Sequence, residues 1–123
     1  MTPDLWLYCA AGLSLLTLIA HVFGGGKSVA RPLLDSDLGN EAKFTNYYCW
    51  HMVTLIIAFM GMCFFLNAQD IASTDLSIGA TILAALFTLW SILLTLWKQQ
   101  RVMTLPQWIL FLPIAITGTL GVF

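Results

Sequence analysis

Charge is what this sequence lacks most. Only 9% of its 123 residues are charged, against about 25% in ordinary soluble domains. A soluble domain of this size covers its surface with charge, so a water-facing globule is excluded. Five basic and six acidic residues leave a net charge of −1. There is no basic run for nucleic acid to contact, and no nucleic-acid partner is expected. Cysteine is also scarce. Cys9, Cys49 and Cys63 form no CxxC pair, and their odd number argues against a disulfide framework. Buried thiols acting as small hydrophobes account for them. "GGGK" at 24–27 lacks the preceding strand and the spacing of a phosphate loop. No Ser-His-Asp or Cys-His grouping with access to water is visible, which sets hydrolytic chemistry aside.

What remains is apolar: 59% of the chain is hydrophobic. The charges are confined to short segments, leaving four charge-free stretches from Leu5 to Phe23, Phe44 to Gln69, Leu76 to Trp97 and Val102 to Phe123. Each approaches the ~20 residues that carry a helix across a bilayer core. Backbone at that depth must satisfy its own hydrogen bonds, so helices are expected. The predicted fold is all-α: a polytopic membrane protein with one four-helix transmembrane domain over 1–123. Its spans are expected near 5–23, 44–68, 76–97 and 104–122, with a long inner loop at 24–43. The opening "MTPD" has no positive residue of the kind that begins a secretory signal, so the first stretch is expected to persist as a span.

Lys27, Arg31 and Lys43 follow the first span, and Lys98 and Arg101 follow the third. The N-terminus, the second connection and the C-terminus carry no Lys or Arg. Because cytoplasmic loops gather these residues, both termini are expected outside, on the periplasmic side of a bacterial inner membrane. Tyr47, Tyr48, Trp50, Trp97 and Trp108 cluster toward the inner end, and Trp6 and Tyr8 toward the outer, as interfacial aromatics do. Gly24–Gly26 are expected to stop the first helix. Asp37 or Asn40 is the expected N-cap of the second, one of Ser73, Thr74 and Asp75 that of the third, and Thr104 that of the fourth. Pro113 removes a backbone donor deep in the fourth span.

Membrane helices meet through small and weakly polar residues. The third span carries Ser77, Thr81, Ala84, Thr88, Ser91 and Thr95, spaced 4-3-4-3-4. The first carries Ala10, Ser14, Thr17 and His21, and the second Tyr47, His51, Thr54, Ala58 and Gly61. Thr117, Gly118 and Gly121 offer small residues in the fourth. Such seams predict an antiparallel, left-handed bundle.

Both histidines fall on these seams, His21 near the end of the first span and His51 near the start of the second. One depth and one shared cavity are expected for the two rings. Three readings stay open. Each imidazole can bond a nearby Thr, Tyr or carbonyl and act as a structural latch. The pair can ligate haem b between the helices, with Ser14, Thr17, Thr54 and Ala58 leaving room and Lys27, Arg31 and Lys43 contacting its anionic groups. It can also hold a transition metal or a proton, aided by Cys49, Tyr47 or Glu41. No Asp, Glu, Lys or Arg lies inside a span, so an embedded carboxylate relay is absent. The expected function is a non-enzymatic accessory protein or subunit of a larger membrane assembly. Its partners would be the lipid bilayer and either copies of itself or a larger membrane complex. Alternatives are a redox, metal or haem protein built on His21 and His51, and a small oligomeric channel or transporter lined by the Ser/Thr seam.

Overall fold

A computed structural model describes residues 2–123. Helix α1, Pro3–Ile19, opens with proline at its first turn, where no hydrogen-bond donor is needed, and with Asp4 at the positive end of the helix dipole. The expected stop at the three glycines does not occur. The chain widens into a π-helix, Ala20–Ala30, and then runs into α2, Arg31–Leu34, so that one 32-residue rod extends from Pro3 to Leu34. The wide winding shows in the Arg31 N–H, which donates five residues back to the Gly26 carbonyl. None of the glycines has a positive φ. Glycine costs a helix about 1 kcal/mol per residue. The widened turns keep their backbone hydrogen bonds, and the helix continues through the glycines.

The long inner loop expected at 24–43 therefore shrinks to residues 35–39. Helix α3, Asn40–Asn67, starts from Gly39, and neither Asp37 nor Asn40 serves as N-cap. Helix α4, Thr74–Trp97, starts from Ser73 without a side-chain capping bond. Helix α5 begins at Gln107 rather than near Thr104, because residues 101–106 form turns that end on Pro106. Its 16 residues span only about 24 Å at 1.5 Å per residue. Three helices, Pro3–Leu34, Asn40–Asn67 and Thr74–Trp97, are thus long and apolar enough to cross a membrane, and the fourth is shorter.

The helices close into a ring in which α1 packs on α3 and α5, and α4 packs on α5 and α3. Ser77, Thr81, Ala84, Thr88, Ser91 and Thr95 of α4 are all buried, while Leu86 and Leu93 face outward. Ala10, Ser14 and Thr17 of α1 are buried as well. Helix α3 departs from the expected seam. Its buried face is Ile57, Met60, Phe64 and Asn67, while Ala58 is exposed and Thr54 and Gly61 are half-buried. The reason is volume. Opposite the small Ala10, Ser77, Ala84 and Gly118, α3 supplies bulk, alongside Leu7 of α1 and Phe111 and Ile114 of α5, toward the close packing of a protein interior. Phe64, fully buried, does so.

Candidate functional site

The alternating run of the helices places all five cations at one end of the bundle, together with the π-helix and the start of α3. His21 projects from the π-helix onto Trp50. The two rings stack with centroids 4.4 Å apart and planes 20° from parallel. His21 Nε2 lies 3.2 Å from the Trp50 carbonyl oxygen and 3.1 Å from Thr54 Oγ1. Because the Thr54 hydroxyl already donates to that carbonyl, the consistent arrangement has the Nε2–H donating to both oxygens. Gly25 and Gly26 lie flat against the same indole, where an added Cβ would stand 3.8 Å from its ring atoms.

His51 is exposed. It stands edge-on to Trp50 at 5.1 Å and to Tyr47 at 4.6 Å. The expected shared cavity is therefore replaced by a shared neighbour. Trp50 stacks on His21 and stands nearly perpendicular to His51, so this indole neighbours both imidazoles. Of the four residues expected to leave room around them, Ser14 and Ala58 line a furrow that stays open between α1 and α3, while Thr17 is buried and Thr54 is half-buried beside His21. Ser14 is buried with its hydroxyl donating to the Ala10 carbonyl at 2.8 Å, and buried Thr17 donates to Leu110. Of the cysteines expected to be buried only Cys63 is, with Cys9 half-buried and Cys49 exposed, and Glu41 lines a separate hollow with Thr45 and Asn46. Among the described residues no three His, Cys, Asp or Glu side chains come together as a metal-binding group. Lys27 is exposed and Lys43 half-buried, while Arg31 lines a cleft of about 450 Å3 with Asp35, Leu34, Tyr47 and Trp50.

The hydroxyls of α4 are tied to carbonyls, although Ser91 and Thr95 also border hollows beside Phe111 and Trp108. Thr81, Thr88 and Thr95 each donate to the carbonyl four residues back at 2.7–2.9 Å. Ser77 reaches the Cys63 carbonyl of α3, and Ser91 the Leu105 carbonyl before α5. At the far end, Asn67 donates to Ser77 Oγ at 3.0 Å, and the Tyr8 hydroxyl meets Gln69 and the Ala68 carbonyl. Every buried side-chain polar atom among the described residues has a partner.

Among the hollows on the outside of the bundle, one furrow is floored by small residues. It lies between α1 and α3, measures about 560 Å3, and is floored by Ala11, Gly12, Ala58 and Gly61 between the larger Tyr8, Leu15, Met62 and Phe65. Sequence reading placed Ala58 and Gly61 on an inward seam and gave Trp50 only an interfacial role. Its place in "YYCWHM", one residue before His51, was the available signal for the latter. Comparison of the chain with protein-family models, with curated proteins and with solved structures returns no match.

Proposed function

We propose that the protein is a non-catalytic subunit of a larger membrane assembly, held there by a helix of another chain lying in the furrow between α1 and α3. The observation that carries this reading is a contrast. The polar groups inside the bundle are consumed in holding its own helices together, whereas small residues floor a furrow on its outer surface. Small residues let helix backbones approach closely in a bilayer, where helices gain nothing by hiding apolar surface from water. Gly12 has open space where a Cβ would point. The same consumption of the α4 hydroxyls speaks against a pore lined by that seam.

The test is to extract the protein gently from its native membrane and follow what co-migrates. A second membrane protein in fixed ratio is expected, and Gly12→Leu with Ala58→Leu should release it while leaving the bundle as stable as before. Migration of this chain alone, migration only with its own copies, or retention of the partner by the filled furrow would overturn the proposal.

In this reading all four helices cross the membrane, α5 with local thinning or a tilt of its neighbours to accommodate its length. The cationic end faces the cytoplasm of a bacterial cell and both termini lie outside. Single cysteines introduced at Lys27 and Arg101 should resist an impermeant thiol reagent in intact cells, and one at Phe123 should react. Protection of position 123 would reverse the orientation or remove one crossing.

A further inference from the structure

The cleft beside Trp50 has a chemistry of its own. One wall is the π-helix and α2, the other the first turns of α3, and its apolar depth is set by Val22 and Leu34. Tyr47 and Trp50 supply two nearly parallel rings, 6.4 Å between centroids. At its mouth stand one cation and one anion, Arg31 and Asp35, both exposed and four residues apart. They close the same turn, with the Asp35 N–H donating to the Arg31 carbonyl at 3.0 Å.

We propose that this cleft binds a zwitterionic phospholipid, with the phosphate on Arg31, the ammonium on Asp35 beside the aromatic pair, and the first carbons of the lipid chains against Val22 and Leu34. Guanidinium matches phosphate in a two-pronged bond that an ammonium side chain cannot make. The lipid's own cation meets a carboxylate and aromatic faces, both of which attract it. Tyrosine and tryptophan settle at headgroup depth, which puts Arg31 where phosphates lie. Charge decides the class of lipid. Around the cleft, Lys27 and Lys43 are balanced by Asp37 and Glu41 in the same segment, as Arg31 is by Asp35. An anionic head would meet as much repulsion as attraction, whereas a zwitterion finds a partner for each of its charges. This site requires the chain to lie in a bilayer and is independent of any helix in the α1–α3 furrow.

The experiment is native mass spectrometry of the protein released from vesicles of equal phosphatidylethanolamine and phosphatidylglycerol. The ethanolamine lipid should be retained in preference. Arg31→Ala should lower its retention about tenfold, the factor that loss of one charge-assisted bond supplies. Asp35→Asn should abolish the preference, and Asp35→Lys should turn it toward phosphatidylglycerol. Both positions are exposed, so these variants should fold, which their unchanged helical circular dichroism would verify. Equal or greater retention of phosphatidylglycerol by the wild type would overturn the proposal, as would indifference to Arg31→Ala. Full displacement of the lipid by soluble phosphoethanolamine would overturn it too, since the site would then recognise a free phosphate ester.

Discussion

Gly118→Ala should destabilise the bundle by about 1–3 kcal/mol, the usual range for overpacking a close interface. An ideal Cβ at this position in α5 overlaps Thr81 Oγ1 on α4 and comes within 3.1 Å of the Phe64 ring on α3. Neither neighbour can yield cheaply. Thr81 holds its hydroxyl on the Ser77 carbonyl at 2.8 Å, and Phe64 is fully enclosed. A single methyl therefore pushes α5 away from two helices at once. Gly121→Ala meets the buried Leu7 at 2.8 Å through its side chain and at 3.1 Å through its backbone nitrogen, but in the fraying last turn of α5, so its cost should be smaller. Gly12→Ala is the control. Nothing lies within 4 Å of its Cβ, so the added methyl should leave stability nearly unchanged. Unfolding in mixed micelles measures all three. If Gly118→Ala and Gly12→Ala unfold together, the close approach of α5 to α4 is not what the packing of this glycine describes.

The difference between α4 and α3 shows what a membrane sequence makes legible. On α4, hydroxyl and small residues recur every three or four positions among leucines, and the face that meets other helices differs in chemistry from the rest. On α3 it does not. Ile57, Met60 and Phe64 fill the core, while Leu55, Phe59 and Met62 point outward, and no composition rule separates the two sets. Water would separate them in a soluble protein, because exposed apolar groups are disfavoured there. For helices apolar enough to cross a membrane, lipid and core are equally apolar, so composition does not mark which face turns inward. The glycines at 24–26 misled for a related reason. Their helix-breaking tendency is a local average, and here a partner on another helix, the Trp50 indole against Gly25 and Gly26, accompanies a helix that runs on. The cleft at Arg31 was hidden by that misreading, since Val22, Arg31 and Asp35 line one wall only when the helix runs on through the glycines.

The last expected result concerns the histidine that this continued helix carries. His21→Ala should loosen the π-helix from α3, because two interactions end together: the Nε2–H bonds to the Trp50 carbonyl and Thr54, and the stack on the indole. Interhelical hydrogen bonds in membranes average about 0.6 kcal/mol and reach about 1.7. Aromatic stacking adds about 0.5–1.5 kcal/mol. The sum, on the order of 1–3 kcal/mol, should speed local opening by about tenfold or more. Hydrogen exchange should report it at residues 20–34 first, with α4 and α5 little affected, since His21 touches neither. His21→Phe separates the two contributions, keeping the stack and losing the bonds, so it should cost less than alanine. Thr54→Val should cost something in the wild type and almost nothing after His21→Phe, because the partner it would lose is already gone. If His21→Ala leaves exchange at 20–34 unchanged, the latch between the π-helix and Trp50 carries no stability. If phenylalanine proves as damaging as alanine, the hydrogen bonds hold it alone and the stack only fills space.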